Sequence, residues 1–200
     1  MTERSVHQTK QEFIDDKTPV SGEMEKKLET LNRVTRLLSQ AGVDYVVGGS
    51  GMLFGLGLTD KVRDWDLMTE ASENEIRMAL DSLTLVDESG PSELYGSGCK
   101  LGIEETEPEV EIIVGFAIRT ESGICRLPAL PGGIRRGLRI ASPEVWLAAY
   151  TLMGRSEKAA LLEEYLQNHG ADPTVLSRLY EEPLPAELAE RLRRLPEAVV

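Results

Sequence analysis

Four small residues in succession, Gly48-Gly49-Ser50-Gly51, close the short apolar run 45–47 and place the strongest constraint on how this chain folds. Glycine adopts backbone angles that other residues avoid and lets the backbone approach a neighbour closely. The apolar residues of 52–56 follow at once, so the pattern predicts a strand, a tight turn and a short helix. Backbone N–H groups at the start of a helix attract phosphate oxygens. Gly48, Gly49 and Ser50 are therefore candidate phosphate-binding residues.

Two carboxylates interrupt the next apolar stretch, for which we predict a strand from Val62 to Met68. Side chains alternate between the faces of a strand, so Asp64 and Asp66 point one way while Trp65 points into the core. Two like charges held close together repel each other and raise a pKa unless a cation compensates them. Mg²⁺ favours oxygen ligands and uses one or two carboxylates together with substrate phosphates. Asp64 and Asp66 are therefore a candidate seat for Mg²⁺ or Mn²⁺.

A third acid is expected from the stretch 109–116, EVEIIVGF, in which apolar residues alternate with Glu109 and Glu111. A neighbouring strand would bring either glutamate beside the aspartates. Glu111 lies deeper in the apolar run and is the preferred candidate, with Glu109 as the alternative.

The rest of the chain is predicted in three parts: a loose N-terminal arm (1–20), an α/β core (21–141) and a C-terminal helical region (142–200). The core opens with an amphipathic helix from Ser21 to Gln40, and Ser72 with Glu75 has the spacing of a capping box. Strand patterns between residues 83 and 140 favour a mixed sheet. Four helical segments follow, which we predict at 143–154, 157–168, 173–182 and 186–194.

Net charge and composition limit the classes of function and the cellular location that we expect. The 200-residue chain carries a formal net charge of −12, which makes general nucleic-acid binding unexpected because that binding relies on Lys and Arg. No apolar run is long enough for a membrane span and the start is polar, so a cytoplasmic location is expected. Cys99 and Cys125 lack zinc-like spacing and are expected as core residues or free thiols.

The segment 45–68 resembles the nucleotidyltransferases that have a DNA polymerase beta type of catalytic core. Their signature is an apolar residue with Gly-Gly or Gly-Ser, a helix, and Asp-apolar-Asp on the next strand, with a third acid further along. Val47-Gly48-Gly49-Ser50 is similar to the first part, Asp64-Trp65-Asp66-Leu67 to the second, and Glu111 to the third. The nearest likeness is to small bacterial members, including antibiotic-modifying and toxin–antitoxin types, and its general plan extends to about residue 168.

The resemblance implies an α+β fold with a mixed sheet flanked by helices, and transfer of a nucleoside monophosphate from a nucleoside triphosphate to a hydroxyl acceptor. It implies metal binding by Asp64, Asp66 and Glu111. Many small members carry a Lys in the helix after the sheet; Tyr150 or Thr151 stands there in this chain. Arg155 and Lys158 are then the candidate triphosphate-binding cations.

Three further expectations follow. The acidic surface would suit a small cationic acceptor, such as an aminosugar, better than RNA. The alternative function is a catalytically silent nucleotide-binding or partner-binding relative, for example a toxin–antitoxin component. The C-terminal helices could also pack against a second copy of the chain, giving a homodimer.

Overall fold

A computed structural model describes residues 22–104 and 106–198 of the chain, so the predicted arm at 1–20 lies outside the described residues. The helices are α1 (Gly22–Gln40), α2 (Gly49–Gly55), α3 (Glu73–Ala79), α4 (Pro143–Leu152), α5 (Ser156–His169), α6 (Pro173–Leu179) and α7 (Ala186–Arg193). The strands are β1 (Val46–Val47), β2 (Trp65–Thr69), β3 (Leu85–Asp87), β4 (Cys99–Ile103), β5 (Val110–Val114), β6 (Ala117–Thr120), β7 (Gly123–Arg126), β8 (Pro131–Arg135) and β9 (Leu138–Ala141).

Seven of these strands form one mixed sheet in the order β3-β4-β5-β2-β1-β9-β8, and β6 pairs with β7 in a separate hairpin. The central strands β2 and β5 run parallel, while β1 is antiparallel to β2 and β4 is antiparallel to β5. Buried residues of β2, β4 and β5 supply apolar side chains to the core, among them Leu67, Leu101 and Ile112. The predicted α+β class with a mixed sheet and flanking helices is confirmed.

Short polar motifs fix where the helices begin. Ser72 accepts a hydrogen bond from the Glu75 amide while the Glu75 carboxylate accepts one from the Ser72 amide, so the predicted capping box is present. Ser142 caps α4 with proline at its first position, and Asp172 caps α6 in the same way. Helix α1 buries Met24, Leu31, Val34 and Leu38, which recur at helical spacing.

Helix α4 is the central element of the C-terminal helical region, and its residues 143–150 are all buried. Its Glu144 accepts hydrogen bonds from the Ser142 hydroxyl (2.5 Å) and from the Asp172 amide (2.8 Å), which satisfies a buried carboxylate and joins α4 to the start of α6. Its Trp146 packs against the turn that follows β1. The helical region therefore contacts the sheet through α4, and the boundary near residue 141 stays a prediction.

Several boundaries differ from the sequence expectation. Strand β2 begins at Trp65, so Val62 and Asp64 precede it and only Asp66 lies within it. The partner strand β1 has only two residues, so it cannot pair with the residues before Trp65. The backbone around Asp64 instead forms hydrogen bonds with the Ser50 side chain. Helices α4 and α6 end at Leu152 and Leu179, before residues 154 and 182.

Two further observations concern the cysteines and the membrane. Cys99 and Cys125 are both buried and unbridged, as expected. Within the described ranges, no helix combines the length and the apolar character needed to span a bilayer.

Candidate functional site

The turn Gly48–Gly51, which we call the glycine elbow, joins β1 to α2 and is closely packed on three sides. A β-carbon at Gly48 would collide with the ring of Trp146, one at Gly49 with the carboxylate of Asp66, and one at Gly51 with the ring of Trp65. Gly49 also has φ +52°, in the left-handed region that favours glycine. The small residues are therefore required by the packing of the elbow against α4 and β2.

Ser50 connects the glycine elbow to the first aspartate. Its hydroxyl lies 3.2 Å from the Asp64 carbonyl oxygen and 3.3 Å from Asp64 Oδ1, and it accepts a hydrogen bond from the Arg63 amide at 3.4 Å. The side chain is only 6% exposed. Ser50 thus fixes the segment that carries Asp64. This structural role of Ser50 was not predicted from the sequence.

Asp66 and Glu111 lie side by side on neighbouring strands. In the parallel pairing of β2 with β5, the Cα of Asp66 is the partner of the Cα of Glu111. Glu109 lies just before β5, where its carbonyl oxygen accepts a hydrogen bond from the Trp65 amide at 2.8 Å, and its side chain is exposed. Of the two glutamates left open by the sequence, Glu111 is the one paired with Asp66.

Asp64, Asp66, Glu111 and Arg155 line one cavity of about 320 Å³, which we call the acidic cavity. Its wall continues through Glu88 and Lys100 and through the rings of Tyr95, Phe116 and Trp146. Gly48, Gly49, Ser50 and Lys158 do not line it. A larger cavity of about 660 Å³ lies elsewhere, around Tyr45, Glu70 and Arg139, and contains none of the predicted site residues.

The carboxyl group of Asp66 has the most perturbed acidity in the acidic cavity. Burial and the negative charges of Asp64 and Glu111 raise its pKa to about 7, against the lowering effect of Lys100 and Arg155. A carboxylate in this setting gains from any cation that approaches it, since the cation would relieve both the burial and the repulsion.

Lys100, on β4, forms an ion pair with Glu111, the partner of Asp66 in the sheet. Its Nζ lies 2.7 Å from Glu111 Oε1 and 3.0 Å from Glu88 Oε2. Burial works to lower the pKa of Lys100, but the hydrogen bonds to Glu111 and Glu88 outweigh it, so the pKa is raised and the ammonium group stays charged. One of the three predicted metal ligands is therefore bound to a cation of the chain itself.

Glu88 reaches this position because β4 has a glycine opposite Glu111. Gly102 is the Cα partner of Glu111, and a β-carbon on Gly102 would collide with the Glu88 carboxylate. In the described part of the chain, one carboxylate oxygen from each of three acids lies within 4.8 Å of the other two, and these acids are Glu88, Glu109 and Glu111. The predicted trio of Asp64, Asp66 and Glu111 does not form such a group.

Two further cations, Arg155 and Lys158, lie close enough to the aspartates to interact with them electrostatically. Arg155 is exposed at the start of α5, and Lys158, one turn later, lies 5.2 Å from the centre of the Tyr150 ring. Burial and then the charges of Arg155 and Arg63 lower the pKa of Lys158. Among the described residues, neither Arg155 nor Lys158 has a carboxylate within 4.0 Å, so both are available to an anion.

Tyr150 lies beside Lys158. Its side chain is fully buried in α4 between Trp146 and Lys158, and its hydroxyl has no hydrogen-bond partner among the described residues. Burial and the nearby charge of Asp66 raise the pKa of the hydroxyl. A buried hydroxyl without a partner is uncommon in folded proteins and costs stability.

Sequence reasoning missed Lys100, Glu88 and Arg63 as members of this site. A signal existed for Lys100, because in KLGI it alternates with the apolar Leu101 and Ile103 and must face away from them. Which strand lies beside β4 cannot be read from that alternation, so the contact with Glu111 was not predictable.

Comparison with known proteins places the fold. The chain matches no protein-family model and no curated protein sequence. It is similar to the crystal structure of a Thermotoga maritima protein named, provisionally, as a nucleotidyltransferase. The two sequences are 23% identical, the TM-score is 0.54, and the match covers 72% of this chain and 95% of that one. It is also similar to the solution structure of the antibiotic-resistance factor ANT(2'')-Ia. Here the sequences are 15% identical, the TM-score is 0.53, and the match covers 84% of this chain and 90% of that one. The chain therefore has a nucleotidyltransferase-like fold.

Proposed function

We propose that this chain is a metal-dependent nucleotidyltransferase that moves a nucleoside monophosphate from a nucleoside triphosphate to a hydroxyl acceptor. The observation that carries the proposal is the pairing of Asp66 with Glu111 in a cavity that Asp64 also lines, directly behind the glycine elbow. The nucleotidyltransferase-like fold supports the same reaction class.

The donor set of the two aspartates fits a hard divalent cation. Asp64 and Asp66 offer carboxylate oxygens, the ligands that Mg²⁺ and Mn²⁺ prefer. Burial, and then the negative charges of Asp64 and Glu111, raise the pKa of Asp66, and a cation would offset both effects. A bound Mg²⁺ or Mn²⁺ would supply Lewis-acid stabilisation of the charge on the phosphates.

The nucleotide is proposed to lie between the glycine elbow and α5. Gly48 and Gly49 bring the backbone of the elbow against Trp146 and Asp66, and Ser50 holds the elbow to Asp64. Arg155 and Lys158 would bind the terminal phosphates, because the described carboxylates leave both side chains unpaired.

In the proposed reaction the acceptor oxygen bonds to the α-phosphorus while the bond from that phosphorus to the pyrophosphate oxygen breaks. Glu111 is proposed to accept the acceptor's proton, since its carboxylate faces the acidic cavity beside Asp66. Arg155 and Lys158 would offset the charge that develops on the departing pyrophosphate.

The acceptor is proposed to be a small cationic molecule, such as an aminosugar. The formal net charge of −12 opposes binding of a polyanion, and a cavity of about 320 Å³ has the size of a small-molecule site. Incubation with labelled triphosphate and separate pools of aminosugars, neutral sugars and RNA tests this. Preferential labelling of RNA would reject it.

Magnesium-dependent release of pyrophosphate from nucleoside triphosphates tests the reaction itself. We expect release by the wild type and its loss in Asp64→Asn and in Asp66→Asn, with circular dichroism unchanged. Asp81→Asn is the matched control, because Asp81 is exposed and lies in the turn after α3, outside the acidic cavity. Equal activity in all three variants would refute the proposal.

A catalytically silent nucleotide-binding or partner-binding relative is the second candidate. The ion pair between Lys100 and Glu111 favours it, because the third acid already has a cationic partner. Metal-dependent nucleotide binding by the wild type, without turnover on any acceptor, would support this candidate instead. A homodimer through the C-terminal helices also stays a prediction, which light scattering of the purified protein tests.

A further inference from the structure

Lys100 lies beside Glu111, the acid that the sequence predicts as the third metal ligand. The ammonium group lies 2.7 Å from Glu111 Oε1, which is a full charge-assisted hydrogen bond, and it contributes to the electrostatic field at Asp66. The position is set by the sheet, because Lys100 is the Cα partner of Ile113, two residues from Glu111 on the same face of β5.

A second carboxylate holds Lys100 in this place. Glu88 Oε2 lies 3.0 Å from Lys100 Nζ, and Glu88 reaches over β4 only because residue 102 is glycine. The lysine is thus bound from two sides by acids on β5 and next to β3, and its side chain is only 36% exposed. An ammonium group fixed by two carboxylates in a partly buried site is held more firmly than a surface ion pair.

We infer that Lys100 serves as a fixed cation of the site, so that the chain takes a divalent metal through Asp64 and Asp66 alone and Glu111 is not a metal ligand. This inference rests on the proposed metal seat and revises the sequence expectation of three metal-binding acids. Lys100 is a positioning residue in this account: it holds Glu111 toward the acidic cavity and supplies positive charge beside it.

Charge counting around the acidic cavity supports this assignment. Asp64, Asp66, Glu88 and Glu111 line its wall, and Lys100 is bonded to two of these four acids. The remaining two, Asp64 and Asp66, match the one or two carboxylates with which Mg²⁺ is usually bound. A metal at Glu111 would have to displace Lys100 or accept a unit positive charge as its immediate neighbour, which Coulomb repulsion opposes.

A titration with Mn²⁺ alone tests the inference without any catalytic readout. The electron paramagnetic resonance signal of the unbound ion gives the number of Mn²⁺ ions that bind and their affinity. We expect a single Mn²⁺ on the wild type, loss of at least about tenfold in affinity in Asp66→Asn, and little change in Glu111→Gln. Removal of the lysine charge in Lys100→Met should create a second Mn²⁺ site, and Lys100→Arg should keep a single one.

The second site must depend on Glu111. The double variant Lys100→Met, Glu111→Gln should therefore return to a single Mn²⁺. Lys26→Met, in which an exposed lysine of α1 is removed, controls for the change in net charge. If Lys100→Met does not fold, the single variant Glu111→Gln still shows whether Glu111 is a metal ligand.

The outcomes separate this inference from the proposed function. If Glu111→Gln loses Mn²⁺ as completely as Asp66→Asn, Glu111 is a metal ligand and the role of Lys100 is wrong, while the metal-dependent transferase stands. If Lys100→Met folds and gains no Mn²⁺, the inference also fails. If the wild type binds no Mn²⁺ with or without a nucleoside triphosphate, the metal seat and the proposed function fail together.

Discussion

The carboxylate of Asp66 lies directly against the α-carbon of Gly49, so closely that a β-carbon there would overlap it. The contact joins the glycine elbow to Asp66, the second of the two aspartates that follow it in the sequence. It also explains why the elbow needs glycine at this position, beyond the freedom that a tight turn requires.

Gly49→Ala should damage both the fold and the site. The added methyl group would push Asp66 out of place, and φ +52° is costly for alanine, so we expect a loss of stability on the order of 2 kcal/mol. Urea unfolding measures the loss. Gly22→Ala is the control, because a β-carbon there meets nothing within 4 Å. A Gly49→Ala protein as stable and as active as the wild type would contradict the packing described above.

Asp66 should make the folded protein less stable as the pH rises. Its pKa is about 7 when folded and near 3.8 otherwise, so between these values the folded state binds more protons than the unfolded state. The free energy of unfolding therefore falls from about pH 4 to pH 7 and stays low above it. At about 1.4 kcal/mol per pKa unit, the total effect is up to about 4 kcal/mol.

The variant Asp66→Asn removes this titration. We expect it to be more stable than the wild type at pH 8 and to lose that advantage toward pH 4, as measured by urea unfolding without divalent metal. Asp81→Asn, at an exposed position outside the acidic cavity, is the control for the change in net charge. A stability difference between Asp66→Asn and wild type that does not vary with pH would show that the carboxyl group is not perturbed.

Arg155 and Lys158 should contribute to nucleotide binding. Each of Arg155→Gln and Lys158→Gln would remove one of the charge-assisted phosphate contacts proposed above, so we expect about tenfold weaker binding of a nonhydrolysable triphosphate, with less effect at high salt. Calorimetric titration in the presence of Mg²⁺ measures this. Lys26→Gln should bind as the wild type does, and unchanged binding in both site variants would remove these residues from the nucleotide site.

Tyr150→Phe tests whether the buried hydroxyl serves stability or function. The hydroxyl has no partner in the described structure, so its removal should leave the stability unchanged or raise it by about 1 kcal/mol. Tyr150→Leu, which also removes ring atoms from a fully buried side chain, should instead destabilise by on the order of 2 kcal/mol. Marked destabilisation by Tyr150→Phe would reveal a hydrogen bond to ordered water.

The C-terminal helices show how local signals predicted elements well. Ser142-Pro143 and Asp172-Pro173 start α4 and α6 as expected, because capping and the fixed φ of proline act within a few residues. Strand β2 was predicted three residues too long at its start. The error arose because Ser50, distant in sequence, takes up the backbone bonds near Asp64.

The sequence by itself determined the order of strand, glycine elbow and helix, the face of the strand on which Asp66 lies, and the candidate acids Asp64, Asp66, Glu109 and Glu111. These depend on backbone freedom and on the two-residue period of a strand, which are local properties. Only the tertiary structure decided that Glu111 lies beside Asp66 and that Lys100 and Glu88 lie beside Glu111. Strand order and register bring together residues far apart in the chain, and alternation along one strand carries no information about its neighbour.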